Sequence, residues 1–212
     1  MNYFTKLLNS LFHFIFNPSK RVNLLLFGGA LMNLLYIATN AASAIIYHSI
    51  WSATLTVYHL TLIVIRVSLL FYGRVGGEGS TGRNICLRVG ILLLFLDLIA
   101  AFIMLHSIQS DSFVRYSGLF LFGFLAFTVY SLVRSVAEIK RSRDSKNNLY
   151  FTAKNLSLTT ALMSVFNLQY SLLSLLGADS VLTGRAILLC GCLVFSIILF
   201  LSLRLMRRGL SQ

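Results

Sequence analysis

The chain has 212 residues, of which 57% are hydrophobic and only 11% charged, with a formal charge of +12. A water-soluble domain carries about 25% charged residues, so this composition excludes an ordinary soluble enzyme. The excess charge is basic, but the lysines and arginines cluster at the ends of apolar runs, which points to anionic lipid headgroups as partners and away from nucleic acid.

Residues 3–17 predict an amphipathic helix lying in the headgroup layer. Phe4, Leu7, Leu8, Leu11, Phe12 and Ile15 share one side; Lys6, Asn9, Ser10, His13 and Asn17 fall largely on the other. Pro18 ends that pattern, and Lys20-Arg21 mark the edge of the first apolar run. Six membrane spans are predicted at 22–46, 51–72, 88–108, 114–135, 155–176 and 182–204, each near the roughly 20 residues that cross hydrocarbon. The chain therefore divides into a cytoplasmic interfacial segment (1–21), a transmembrane domain (22–204) and a basic tail (205–212). Spans 1 and 2 are joined by about four residues, a tight outer hairpin.

The connection 73–87 is rich in glycine and predicts a flexible loop. No strand precedes it and no Walker lysine follows, so it is not a phosphate cradle, and the sequence asks for no cofactor. The connection 136–154 carries Lys140, Arg141, Arg143, Lys146 and Lys154, an anionic-lipid contact. In all, 15 of the 18 basic residues lie in or at the edges of the segments on one side of the membrane. That asymmetry predicts a multi-pass protein of the cell membrane with both termini cytoplasmic. The fold class is all-α. A faint likeness between Ser52–Leu60 and Thr160–Leu168, on spans of opposite direction, is what a three-plus-three inverted repeat produces.

Polar residues inside the spans fall in register. Span 1 carries Asn33, Tyr36, Asn40, Ser43 and Tyr47; span 2 carries Ser52, Thr56, His59 and Arg66; span 5 carries Thr160, Ser164, Asn167, Ser171 and Ser174. Steps of three, four and seven trace one helical face in each case. Polar groups are costly against lipid tails, so these faces are expected to meet in a common interior. Two readings are open: hydrogen bonding between helices, and a polar cavity for a ligand. The candidate ligand-binding residues are Asn33, Tyr36, Asn40, Tyr58, His59 and Asn167. Arg66 and Asp97 are the strong charges deep within spans, roughly 9 and 13 Å from the inner ends at the helical rise. An ion pair between them would lower the cost of both.

Cys86, Cys190 and Cys192 suit small buried thiols; residues two apart on a helix point about 200° apart, so no metal is expected there. No Ser–His–Asp set, His-Glu-x-x-His or paired carboxylates occur, and no enzyme is expected.

The stretches Asn33-Leu34-Leu35-Tyr36, Tyr47-His48-Ser49-Ile50-Trp51, Tyr58-His59-Leu60 with Arg66, and Ser157–Ser164 resemble a family of small six-span membrane proteins from Gram-positive bacteria. That resemblance implies topology and no activity. In span number and the placing of polar residues on spans 2 and 5 the chain is also similar to the membrane domain of cation diffusion facilitators. Ile63 stands one turn from His59, and span 5 offers Asn167 and Ser171 but no carboxylate, so the zinc set of that family is not reproduced. The expected function is a small transporter or solute-binding membrane subunit. The alternative is a non-transporting regulatory or assembly partner of another membrane protein, or a homo-oligomer, with Gly28, Gly29, Ala38, Ala41 and Ala42 allowing close helix approach.

Overall fold

The computed structural model describes residues 18–74, 80–109, 118–141, 148–176 and 180–211. Six helices fill them: α1 (Pro18–Tyr47), α2 (Ile50–Arg74), α3 (Ser80–Gln109), α4 (Gly118–Arg141), α5 (Asn148–Leu176) and α6 (Ser180–Leu210). Pro18 suits its place at the start of α1, where a missing N–H costs nothing. The amphipathic segment 3–17 lies outside the described residues.

Four helices contain stretches long and apolar enough to cross a membrane: Leu25–Tyr47 in α1, Ile50–Tyr72 in α2, Gly82–Gln109 in α3 and Val181–Leu210 in α6. Six such stretches were expected, and α4 and α5 do not stand among them. α5 is long enough, but Asn155, Thr159, Thr160, Ser164, Asn167 and Ser171 dilute its apolar sequence. Its position explains how it tolerates them. α5 is the central helix, in contact with all five others, and every one of those six side chains is buried. A helix screened from lipid by its neighbours has no need of an apolar surface.

The bundle is apolar outside and polar within. Phe27, Ile45, Phe102 and Leu189 are 64 to 74% exposed, while Asn33, Asn40, His59, Thr159 and Ser164 are completely buried. Water would penalise that outer surface; hydrocarbon does not.

α1 and α2 form a close hairpin, as do α4 and α5, and α3 packs along α6. The α1–α2 turn is only His48 and Ser49. His48 takes a left-handed backbone conformation (φ 49°), and Ser49 caps α2 by accepting a bond from the Ser52 N–H at 3.2 Å. The α3–α6 pair approaches closely at three glycines. A Cβ on Gly90 would lie 3.0 Å from the Ser202 carbonyl oxygen, and one on Gly209 would lie 2.9 Å from the Arg83 carbonyl oxygen. Gly191 faces Met104 in the same way. Small residues at such seams let dispersion contacts hold helices together where water gives no help.

The two connections on the basic side are shorter than expected. Gly73 lies in α2 and Gly82 in α3, so helix extends into both ends of the glycine-rich segment; residues 75–79 lie outside the described residues. Lys154 lies within α5, and α6 runs on as helix through Arg207 and Arg208 to Leu210.

One glycine connects the fold to the buried charge. The Arg66 guanidinium of α2 lies against the backbone of α1 at Gly29, where any Cβ would collide with Nη1 and Cζ. Gly29→Ala is expected to destabilise the purified protein by expelling that side chain. In an Arg66→Met background the same change is expected to cost far less. Thermal unfolding of the four variants gives the coupling, expected at about 1 kcal/mol or more.

Candidate functional site

α5 meets its neighbours mainly through polar side chains, and these bonds set the frame of the site. Thr128 of α4 donates to the Ser164 carbonyl at 3.1 Å, and Ser135 donates to the Ser157 carbonyl at 3.1 Å. The Ser131 and Ser164 hydroxyls are 2.9 Å apart. On the α3 side, the Ser107 and Tyr170 hydroxyls are 3.0 Å apart and Cys86 Sγ is 3.2 Å from Thr152 Oγ1. On the α6 side, Arg208 Nε donates to Asn148 Oδ1 at 2.9 Å, and its guanidinium sits 4.1 Å from the centre of the Phe151 ring. Bonds of this kind average about 0.6 kcal/mol in a bilayer, so their number matters more than any one of them.

Ring and hydrogen-bond pairs also fix helix direction. Trp51, at the start of α2, packs on Phe166 and Tyr170, while Arg66, further along α2, reaches Thr160. α2 therefore runs antiparallel to α5, and α1, its hairpin partner, runs parallel to α5.

The six candidate ligand-binding residues are all buried, none more than 2% exposed. Tyr36 and His59 stack face to face, with ring centres 4.7 Å apart and planes within 17°. Tyr58 meets His59 edge-on at 5.8 Å. The Tyr36 hydroxyl lies 3.3 Å from Thr128 Oγ1, whose own proton goes to Ser164, so Tyr36 is the donor. This chain of bonds ties α1 to α4 and α5 at one level. One turn further along the parallel helices, Asn40 on α1 and Asn167 on α5 come to similar heights, about 6 Å beyond Tyr36 and about 4.5 Å beyond Ser164.

These groups differ in how their polar atoms are served. Tyr36 is bonded, and Asn40 Nδ2 donates to the Tyr36 carbonyl at 2.9 Å. Both amide atoms of Asn33 and Asn167, both nitrogens of His59, Asn40 Oδ1, Ser43 Oγ and the Tyr58 hydroxyl are buried without a hydrogen-bond partner among the described residues. Most of the Ser and Thr hydroxyls on the same faces donate to their own helix: Thr56 to Ser52, Thr160 to Leu156, Ser171 to Asn167. Most of the short side chains are thus satisfied locally, whereas the Asn33 and Asn167 amides, the imidazole and the Tyr58 phenol are not.

Arg66 and Asp97 are both buried but form no bridge. Arg66 Nη2 donates to Thr160 Oγ1 at 3.0 Å, and Asp97 Oδ1 has no hydrogen-bond partner. The reason is lateral. Depth along the helices allowed a pair, but the guanidinium lies over Gly29 of α1 and donates to Thr160 of α5. Asp97 instead lies within electrostatic reach of Tyr58, and Arg66 within reach of His59. Thr160 as the arginine's acceptor and Gly29 as its seat escaped the sequence reading; both lie on polar or small-residue stripes that it did identify.

Of the small residues on α1, Gly29 is taken up by Arg66 within the molecule, whereas Ala38 remains exposed and Ala41 and Ala42 half-buried. Among the described residues no three His, Cys, Asp or Glu side chains gather as a metal site would require. No family model matches the chain, and no curated protein or solved structure shows significant similarity to it.

The ring of His59 and its nitrogens have separable roles. His59→Phe keeps the stack on Tyr36 and is expected to hold stability within about 1 kcal/mol, whereas His59→Ala opens a cavity and is expected to cost about 2–4 kcal/mol. Thermal unfolding in detergent measures both.

Proposed function

We propose that the protein is a six-span protein of the cell membrane, with both termini cytoplasmic, that holds a small polar solute among α1, α2 and α5. In this reading α4 and α5 cross the bilayer as the inner, polar part of the bundle. The hairpins α1–α2 and α4–α5 with the α3–α6 pair suit a three-plus-three arrangement. The protein acts as a small transporter or as a solute-binding membrane subunit, not as an enzyme.

One observation carries the proposal: both amide atoms of Asn33 and Asn167, both ring nitrogens of His59, Asn40 Oδ1 and the Tyr58 hydroxyl are buried and have no hydrogen-bond partner among the described residues. An unserved polar group in a low-dielectric interior costs on the order of 1–3 kcal/mol, and here several occur on three facing helices. Helix packing alone is served by hydroxyls that bond their own backbone. Paired amides, an imidazole and a phenol offer both donors and acceptors to a guest. The solute class that matches is small, hydrogen-bonding on several sides, and without a large apolar body. Arg66 nearby adds a positive potential that favours an electron-rich atom at the His59 end.

The test uses the intact protein with its native cysteines replaced by alanine. Single cysteines at Asn40 or Asn167 are expected to react with a water-soluble methanethiosulfonate reagent, and one at lipid-facing Ile45 to resist it. A thermal-shift screen of amino acids, polyols and inorganic anions is then expected to give a stabilising solute. His59→Phe and Asn167→Leu are expected to abolish that shift by about tenfold or more in affinity, the effect of an unpaired polar group in a site. Unreactive cysteines at both interior positions would sink the proposal.

A further inference from the structure

We propose that the cleft between α2 and α3 binds one anionic phospholipid from the leaflet on the basic side of the membrane. This goes beyond the solute site and shares with it only the membrane topology.

The cleft has a volume of about 340 Å³ and opens to the outside of the bundle. It forms where the α1–α2 hairpin meets the α3–α6 pair, two units that each pack tightly within themselves. Six of its side chains form two stripes. Tyr72, Ser68 and Val64 follow one another along α2, and Asn84, Arg88 and Leu92 along α3. Steps of four keep each set on one helical face. The two helices run in opposite directions: Trp51 near the start of α2 and Ser107 near the end of α3 both touch Tyr170. Tyr72 therefore stands opposite Asn84, Ser68 opposite Arg88, and Val64 opposite Leu92.

Leu69, Ile85 and Val89 make the floor of the cleft apolar throughout, while its polar side chains, Tyr72, Ser68, Asn84 and Arg88, are confined to the basic end and give way to Val64 and Leu92 over about 12 Å. That gradient is the profile of a lipid entering headgroup last. Among the described residues Arg88 is the formal charge in the lining and no carboxylate joins it, so the headgroup is an anion. A guanidinium fork suits a phosphate better than a point charge does. Asn84 and Tyr72 add donors beside it. Ser68 spends its proton on the Val64 carbonyl at 2.8 Å and offers only lone pairs. Val64 and Leu92 are 58% and 45% exposed, an apolar mouth that an acyl chain would cover. A free phosphate or a soluble organic anion would leave that part of the cleft bare. Each stripe is visible in the sequence once the pairing of α2 with α3 is known.

Native mass spectrometry of the full chain, released from detergent with equal amounts of dioleoyl phosphatidylglycerol and dioleoyl phosphatidylcholine, tests this. The wild type is expected to retain phosphatidylglycerol preferentially. Arg88→Gln is expected to lower that adduct about fivefold, the scale of one arginine against an anionic headgroup. Leu92→Trp, which fills the apolar end, is expected to lower it as well. Arg185→Gln at the other end of the bundle and His59→Phe in the solute site are expected to leave it unchanged. Glycerol 3-phosphate is expected to give no adduct. Equal retention of the two lipids overturns the proposal. So does an adduct that survives both cleft substitutions, or one that glycerol 3-phosphate reproduces.

Discussion

The structure depends on the need to keep a polar helix away from lipid. α5 carries amides and hydroxyls along most of its length, and hydrocarbon offers them nothing. It therefore sits at the centre of the bundle, where four of its five neighbours supply the complementary groups named next. Thr128 and Ser135 come from α4, Arg66 from α2, Ser107 and Cys86 from α3, and Arg208 from α6. The apolar faces of the surrounding helices are then free to face outward. The inside-out character of the molecule follows from the composition of this one helix.

Packing around that centre relies on the absence of side chains as much as on their presence. Gly90, Gly191 and Gly209 draw α3 and α6 together, and Gly29 makes room for a charged head inside α1 and α2. Arg66 would be costly at this depth without its acceptor on Thr160. By lodging there it places a positive charge near His59 and leaves Asp97 to the Tyr58 side. The two groups expected to neutralise each other have different neighbours, and the interior is asymmetric as a result.

That asymmetry and the set of unserved amides belong together. A bundle selected only for packing would match or remove such groups, because each costs more unpaired than it returns. Here most of the hydroxyls are matched, those of Ser43, Tyr58 and Thr159 excepted, while among the described residues the side chains of Asn33, His59 and Asn167 find no hydrogen-bond partner at all. The difference marks where the interior departs from a purely structural core. The cleft between α2 and α3 is a second departure, on the outside, where a thin seam between two tight units stays open to lipid.

Much of this was legible in the chain, because helical periodicity and the hydrophobic cost of polar groups act locally. The helices, the tight turn at His48-Ser49 and the burial of the stripes through Asn33, His59 and Asn167 all follow from spacing along single helices. What spacing could not convey is how helices are rotated and who stands beside whom. Depth along two helices made Arg66 and Asp97 look like partners; the sideways turn over Gly29 separated them. The glycine-rich connection read as a loop because glycine is a breaker in isolation, yet packed ends of α2 and α3 extend into it. α5 reads in sequence as one more apolar run, and only its contacts with the other five helices show it to be the centre. Periodicity is a property of one helix at a time, whereas neighbourhood is a property of six together, and only the packed bundle could choose among the neighbours that the pattern allowed.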